Sequence, residues 1–303
     1  MKTSFIFLFT IVILSSCEKN INFNLKNADD VLVVDAQIEN GQAPIVVLTK
    51  SFDYFSTINP QLLNNSFVRN ATVTVSNGAL THQLKEYTFP LGGGYTAYYY
   101  SVDPASPTTS FIGEFDKKYT LNIKAEGKEY TGTTNIPLLT KFPDSLWFKV
   151  APLNPDTNKR VLMTRAIDPP GLGNYIRYFT KKNRGEFLPG DNSVFDDAVI
   201  DGTTYEIQVD PGVDRNNRIS ADSNFFRRGD TVTLKLCNID KATYTFWNTW
   251  EFAQQSIGNP FSQPNKVIGN INNGALGAFC GYAAWYKTII AKLQQLLFLK
   301  SNI

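Results

Sequence analysis

Residues 259–282 read NPFSQPNKVIGNINNGALGAFCGY, and this stretch decides how the chain closes on itself. Asn and Gly tolerate left-handed backbone conformations, and the two prolines interrupt regular structure, so a loop is expected first. The small residues 275–279 then favour a short strand between glycines, where two backbones approach closely. We therefore expect a long loop that closes a β-domain. The residues expected to form this structural closing motif are Pro260, Asn270, Gly274, Gly277 and Gly281.

Composition limits the class of protein. The chain has 303 residues, of which 43% are hydrophobic and 13% aromatic, which is typical of a folded protein with about two domains. The formal net charge is only +2, and no long basic block occurs in the sequence. We therefore do not expect a nucleic-acid partner.

The N-terminus carries the signature of an exported, lipid-anchored protein. Lys2 precedes an apolar run that is too short to span a bilayer and ends in Leu14-Ser15-Ser16-Cys17. This tetrapeptide resembles the lipobox of bacterial lipoproteins, in which the cysteine is acylated and becomes the new N-terminus. We expect residues 1–16 to be a signal peptide, the lipid on Cys17 to hold the protein to a membrane, and residues 17–26 to be a tether. The alternative is an ordinary secretory signal that contains a cysteine by chance.

Two further cysteines, Cys237 and Cys280, remain once Cys17 is acylated. An exported protein lies in a compartment that permits a disulfide, but the pairing requires Cα atoms within about 7 Å of each other. The sequence leaves this bond open. It contains no Cys–His spacing typical of a metal site, so neither a metal nor a cofactor is expected.

The first half of the chain predicts an immunoglobulin-like antiparallel β-sandwich over residues 27–137. Its apolar and polar residues alternate in short runs separated by turns, and Asn77-Gly78 is a strong hairpin signal. The strands predicted here are Val31–Ile38, Ile45–Thr49, Ala71–Ser76, Leu80–Tyr87, Tyr95–Tyr100, Tyr119–Lys124 and Tyr130–Thr134. Two prolines and a weak pattern between residues 135 and 143 place the domain boundary there.

Residues 138–286 predict a second, similar β domain. One segment changes period, because Phe246, Trp250, Ala253 and Ile257 fall on one helical stripe, so a helix is predicted over 243–257 with Asp240 as its N-cap. The tail 287–303 also shows helical spacing and is predicted as a short helix. The expected fold is thus all-β, with two immunoglobulin-like sandwiches, one late helix and a C-terminal helix. The strands predicted here are Ser145–Val150, Arg160–Ile167, Tyr175–Lys181, Thr204–Val209 and Thr231–Cys237.

Several stretches together resemble the Bacteroidetes lipoprotein family called domain of unknown function 4249. They are the lipobox, VLVVDAQIENG running into PIVVLTKS, ATVTVSNG, YTLNIKAEGKEYTGTTNIP, the Asp168-Pro169 turn and the closing motif. Cys280 and the apolar tail depart from the family pattern. The resemblance implies an outer-membrane or surface lipoprotein, encoded near TonB-dependent transporters, and it carries over no catalytic residue. Glu18, directly after the lipobox, favours the cell surface over the periplasmic face.

The sequence supplies little catalytic machinery. His82 is the only histidine and lies on a predicted strand, where a surface residue is the default. The acidic loop 191–201, with Asp191, Asp196, Asp197 and Asp201, supports an alternative function as a surface hydrolase of glycans. Residues 210–222 are similar to a calcium loop but lack its Gly and terminal Glu. We expect a non-enzymatic protein.

Aromatic side chains offer a binding surface instead. The segment 52–63 carries more apolar side chains than a free polar loop would, and loops at the ends of sandwiches are common binding sites. We expect an accessory protein that contacts a TonB-dependent outer-membrane transporter through this loop. The residues predicted to bind the partner are Phe52, Tyr54, Phe55, Leu62 and Leu63.

Overall fold

A computed structural model describes residues 30–52, 59–215, 225–257 and 265–292. These residues form a mostly β fold with one long helix, as the sequence predicted. In chain order the elements are β1 (Leu32–Glu39), β2 (Ile45–Lys50), α1 (Pro60–Ser66), β3 (Thr72–Ser76), β4 (Thr81–Gln83), β5 (Lys85–Gly92), β6 (Tyr95–Ser101), β7 (Lys117–Ala125), β8 (Lys128–Ile136), β9 (Pro143–Val150), β10 (Lys159–Ile167), β11 (Tyr175–Lys182), β12 (Phe187–Phe195), β13 (Thr204–Val209), β14 (Phe226–Arg227), β15 (Thr231–Ile239), α2 (Lys241–Ser256) and β16 (Leu276–Ile290). Within the described ranges, neither helix is long and apolar enough to cross a membrane.

The strands form three sheets. The largest has eight strands in the order β12-β11-β15-β16-β1-β2-β6-β5. A four-stranded sheet has the order β4-β3-β7-β8, and another joins β13, β10 and β14, with β9 paired to β10. The pairs of named strands are antiparallel except for β1 and β16, which run parallel.

Strand β16 joins the two halves of the chain. Its first residues, 276–282, pair in parallel with β1, and residues 283–290 pair antiparallel with β15. The eight-stranded sheet therefore takes strands from both sides of the predicted boundary at residue 137. Two separate immunoglobulin-like sandwiches are not confirmed, because the last strand belongs to both halves.

Side chains of β16 alternate between three clusters of buried residues. Phe279 and Ala283 lie in the cluster formed with β7 and β8, and Trp285 packs into the cluster with β10. The intervening residues face the other side of the sheet, because side chains alternate along a strand. They join the cluster beneath α2, and they are Ala278, Cys280, Tyr282 and Ala284. The helix and the two smaller sheets thus cover opposite faces of the large sheet.

The asparagines of the closing motif attach it to its neighbours. The Asn270 side chain accepts a hydrogen bond from the Phe279 N–H at 2.8 Å and donates to the Phe279 carbonyl at 2.7 Å. Asn270 also donates to the Thr133 carbonyl, and the Asn272 side chain accepts from the Thr131 N–H at 2.6 Å. These amides satisfy backbone groups that no strand reaches. Pro260 lies outside the described residues.

The glycines of the motif are placed where a side chain does not fit. Gly274 has φ +77° with open space around it, whereas Gly277 has φ +89° and a Cβ there would lie 2.0 Å from the Val34 carbonyl oxygen. A Cβ on Gly281 would lie 2.5 Å from the Asn135 carbonyl oxygen. The close approach of β16 to β1 and to β8 therefore requires glycine at these two positions, because any side chain would overlap the neighbouring backbone.

Helix α2 begins two residues before the predicted position and is capped by Asp240, as predicted. The Asp240 carboxylate accepts from the Thr243 N–H at 2.8 Å and also from the Asn135 N–H at 2.8 Å. The cap of the helix is therefore also a tie to strand β8. Such a capping bond is worth about 1 kcal/mol.

Three segments differ from the sequence predictions. Part of the expected loop 52–63 is helix α1, because Asn59 caps it and Pro60 occupies its first turn. The first part of the predicted acidic loop 191–201 belongs to strand β12, which pairs with β11. Residues 287–290 are strand rather than helix, because they pair with β15. The predicted signal peptide, the lipidation site Cys17, the tether and residues 293–303 lie outside the described residues.

Candidate binding site

The described part of the predicted partner-binding loop borders an apolar pocket of about 270 Å³. Phe52 and Leu63 line it, whereas Tyr54 and Phe55 lie outside the described residues. Leu62 is half-buried on α1. The remaining lining residues come from β2, α1 and the β5–β6 hairpin, and they are Thr49, Asn64, Ser66, Phe67, Leu91, Tyr95 and Thr96.

Polar groups around this pocket already have partners. The Asn64 side chain donates to the Gly94 carbonyl at 3.0 Å and accepts from the Thr96 N–H at 3.2 Å. The Ser66 hydroxyl donates to the Leu63 carbonyl at 2.7 Å. Because these groups are satisfied within the chain, the pocket offers a ligand mainly apolar contacts.

The apolar surface continues along β5, which is an edge strand of the large sheet. Phe89 is 58% exposed and Leu91 is 61% exposed. Next to them, Tyr87 and Tyr99 stack with ring centroids 5.4 Å apart. Exposed apolar residues that lie together mark interaction sites more often than scattered ones do.

A second feature lies beneath α2, where a buried arginine is held by aromatic rings. Arg177 is only 3% exposed. Its Nε donates to the Ser193 hydroxyl and its Nη1 donates to the Tyr282 hydroxyl, both at 3.1 Å. The guanidinium carbon lies 3.4 Å from the centroid of the Trp247 ring and 4.7 Å from that of Phe179. We call these five residues the arginine centre.

Hydrogen bonds fix the groups of the arginine centre in place. Glu251 on α2 accepts from the Ser193 N–H at 2.8 Å and from the Ser193 hydroxyl, and it forms an ion pair with Arg215. Trp247 Nε1 donates to the Tyr282 hydroxyl at 2.9 Å. The nearest buried carboxylate is thus paired with Arg215, while the acceptors of Arg177 are neutral hydroxyls.

Asp35 and Gln37 lie on β1, in register with Ala278 and Cys280 of β16. Both side chains are exposed. Partial removal from water raises the pKa of Asp35, and the charge of Arg177 offsets part of that rise.

The two described cysteines are free thiols. Cys237 and Cys280 are both buried in the cluster beneath α2, and burial raises the pKa of each thiol to about 12. Thiols of this kind are protonated and unreactive at neutral pH. The disulfide that the sequence left open is therefore not formed.

Two of the four aspartates of loop 191–201 lie beside a further aspartate, Asp168. Carboxylate oxygens of Asp168, Asp197 and Asp201 lie within 4.8 Å of one another. Lys141 and Asp168, both fully buried, form an ion pair there. Asp201 accepts from the Gly171 N–H at 2.7 Å. The ammonium of Lys141 thus already supplies a positive charge to this cluster.

The other acidic side chains also have structural partners. Burial by itself would raise the pKa of Asp197, but hydrogen bonds from Asn174 and Gly173 outweigh it and lower the pKa. Asp196 accepts from the Tyr244 hydroxyl at 3.1 Å. A glycosidase needs an acid with a raised pKa and a second carboxylate facing a cleft. The pKa of Asp197 is shifted in the opposite direction from that of such an acid.

His82 is buried, whereas the sequence indicated a surface residue. It is only 1% exposed, its Nδ1 lies 2.9 Å from the Thr109 hydroxyl, and its Nε2 accepts from the Asp103 N–H at 2.9 Å. Burial lowers the pKa of the imidazole, against a smaller opposite effect of Asp103. Both ring nitrogens are occupied by structural contacts. Most of the predicted calcium-like loop, from residue 216 onward, lies outside the described residues.

No local sequence pattern predicts the arginine centre. Its five members come from β11, β12, α2 and β16, and each is unremarkable in its local pattern. Trp247 packs against the cluster beneath α2.

The fold and this interior centre define a mostly β protein in which the final strand joins both halves and one helix covers a polar interior. The chain belongs to the family described as Domain of unknown function (DUF4249), whose model matches residues 18–288. No curated protein matches the chain.

Proposed function

We propose that this chain is a non-enzymatic lipoprotein of the outer membrane, anchored through Cys17 and displayed at the cell surface, where it assists a TonB-dependent transporter. The observation that carries the proposal is the apolar pocket lined by Phe52, Leu63 and Leu91, together with the exposed Phe89 two residues before Leu91 on β5. We call this surface the apolar patch.

The apolar patch has the composition of a protein contact. It combines a pocket for a partner side chain with exposed Phe89 and Leu91 at its rim, and interfaces gain most of their affinity from a few such anchors. Its polar groups are satisfied internally, so a hydrophobic partner surface loses no hydrogen bonds on docking. The transporter is the partner that the family resemblance implies.

The candidate catalytic groups support the non-enzymatic part of the proposal. His82 makes contacts through both ring nitrogens, and Asp197 is held ionised by N–H donors. The rival function, glycan hydrolysis through the acidic loop 191–201, requires a carboxyl group free to exchange a proton with substrate.

Affinity capture from detergent-solubilised outer membrane tests the partner. We expect the wild-type chain to recover a transporter, and Leu91→Asp to lose most of that recovery, because a charge then enters the rim of the pocket. Leu153→Asp makes the same chemical change at another exposed leucine and should behave as wild type. Equal recovery by both variants contradicts the apolar patch as the contact, and recovery of no membrane protein by the wild type contradicts the accessory role.

Metabolic labelling with an alkyne fatty acid tests the anchor. Wild type should carry the label and Cys17→Ser should not, because the lipid is attached through the Cys17 sulfur. Protease added to intact cells should degrade a surface protein and spare a periplasmic one. A labelled or membrane-bound Cys17→Ser protein is incompatible with the proposed anchor.

A further inference from the structure

Lys141 and Asp168 form an ion pair in which both side chains are fully buried. Lys141 lies just before β9 and Asp168 directly follows β10, so their contact closes the open end of the β9–β10 hairpin. Apart from this contact, neither Lys141 Nζ nor Asp168 Oδ1 has a hydrogen-bond partner among the described residues. A buried charge is costly unless its remaining donors and acceptors are satisfied. An amine and a carboxyl group are thus in contact, shielded from water and poorly stabilised as ions.

The backbone of both residues is fixed by hydrogen bonds. The Asn238 side chain accepts from the Lys141 N–H at 2.9 Å and donates to the Lys141 carbonyl at 2.6 Å. The Asp168 N–H donates to the Thr203 carbonyl at 2.9 Å, and Asp168 Oδ2 accepts from the Gly202 N–H at 3.3 Å. The fold therefore holds Nζ against the carboxyl group. Two groups held in this way react as if each were present at a very high concentration.

We propose that the Lys141 amine and the Asp168 carboxyl group condense into an isopeptide bond, an amide cross-link within the folded chain. Nζ forms a bond to Cγ of Asp168, and the bond from Cγ to one carboxyl oxygen breaks. The ammonium gives up two protons, which leave with that oxygen as water, and one N–H remains in the amide. Nothing is oxidised or reduced, and no co-reactant is needed. The product replaces two buried charges by one neutral group, which removes the cost of keeping them out of water. The inference does not depend on the transporter partner.

The surroundings of the pair favour this reaction. Transfer of one proton from the ammonium to the carboxylate gives the amine and the carboxylic acid that condense, and burial disfavours the charged alternative. The ring of Tyr205 lies against the amine, with its centroid 5.6 Å from Nζ. Pro169 follows Asp168 and has no N–H, so the next backbone nitrogen cannot compete for the carboxyl group.

Asp201 is placed to carry protons between the two groups. Carboxylate oxygens of Asp168, Asp197 and Asp201 lie within 4.8 Å of one another. Asp197 accepts N–H bonds at both of its oxygens. Asp201 is exposed and, among the described residues, forms its hydrogen bond through Oδ1, from the Gly171 N–H. Oδ2 of Asp201 can therefore take a proton from Nζ and deliver it to the departing oxygen.

Mass spectrometry of tryptic peptides from the whole purified chain tests the bond. Trypsin does not cleave after an acylated lysine, so the cross-linked chain should give one branched peptide that joins residues 129–149 to residues 166–177. This peptide should be lighter than its two linear parts together by the mass of one water. Lys141→Arg keeps the positive charge but replaces the amine by a guanidinium, and it should give linear peptides only. Lys149→Arg makes the same change at an exposed lysine of the same peptide and should remain cross-linked.

A time course after cell-free synthesis tests the role of Asp201. The fraction of branched peptide is followed in the wild type and in two variants whose folding is checked by circular dichroism. Asp201→Asn should slow the cross-link by a factor of about 100 or more, the scale of a lost proton carrier. Asp196→Asn makes the same change at another exposed aspartate of the loop and should react as the wild type does. Equal rates for the two variants overturn the role of Asp201. A folded wild-type chain that gives only linear peptides overturns the isopeptide bond itself, whether or not Lys141→Arg folds.

Discussion

Replacement of the closing-motif glycines by alanine tests how β16 joins the two halves of the chain. Three positions separate two physical effects. Gly274 has a positive φ in open space, Gly281 has a close contact without a positive φ, and Gly277 has both. A difference among the three variants therefore assigns the cost to backbone strain or to close approach.

The magnitudes follow from the local geometry. A left-handed conformation costs a residue with a Cβ about 1–2 kcal/mol, which is the expected loss for Gly274→Ala. Overlap with a neighbouring backbone costs about 1–3 kcal/mol, which is the expected loss for Gly281→Ala. Gly277→Ala incurs both, because its Cβ would lie 2.0 Å from the Val34 oxygen, so about 2–5 kcal/mol is expected. The entropy that alanine removes from the unfolded chain is common to all three and cancels in the comparison.

Urea unfolding and thermal melting of the three variants measure these losses. For a chain of this size, about 1 kcal/mol corresponds to a shift of about 2–4 °C in melting temperature. Gly277→Ala should therefore melt lowest of the three. If Gly277→Ala unfolds at the same urea concentration as Gly274→Ala, the parallel contact with β1 does not require a glycine and the reasoning is refuted.

Two further predictions concern buried ionisable groups. Lys141→Met leaves Asp168 buried without its counter-ion and should destabilise the fold by about 3–5 kcal/mol. Adding Asp168→Leu to that variant should restore much of the lost stability, because no unpaired charge then remains. An unchanged melting temperature for Lys141→Met contradicts the buried pair. The pKa of His82 is lower when folded than when unfolded, so its neutral form stabilises the fold above pH of about 6.5 and that contribution is lost as the pH falls through the folded pKa. In melting curves measured across this pH range, His82→Gln should lose less stability at acid pH than the wild type, and its partner binding should stay within a few-fold of the wild type. An unchanged pH profile, or a loss of binding by a factor of about 100, argues for another role.

The local elements of the fold were predictable from the sequence. Alternating residues identified strands such as Thr72–Ser76 and Lys128–Ile136, and the helical stripe with its cap at Asp240 identified α2. These signals are local because a strand or a helix is specified by the spacing of its own apolar residues. Helix α1 was not predicted, since it has only seven residues and begins at an Asn-Pro pair that is also typical of a loop.

The candidate binding site was not predictable in the same way. Apart from Phe179 on its own strand, the partners of Arg177 lie on three other elements, reached by its hydrogen bonds and by its contact with the Trp247 ring. The separation of Arg177 from Tyr282 is 105 residues. Asp35 looked like an ordinary polar position of an alternating strand. The apolar segment around Phe52 was recognisable, since its composition alone departs from that of a polar loop.

The sequence by itself determined the strand-rich composition, the single long helix, the family and the need for glycines in the closing motif. The tertiary structure decided that β16 runs parallel to β1 and antiparallel to β15, so that one sheet crosses the boundary expected near residue 137. The same pairing turned the first residues of the expected C-terminal helix into strand and placed Cys237 and Cys280 as separate buried thiols. The physical reason is that a strand pattern specifies which face of a strand is buried but not which strand it pairs with. That choice depends on contacts between residues far apart in sequence, such as the hydrogen bond that the Ala284 N–H donates to the side chain of Asn40, 244 positions away.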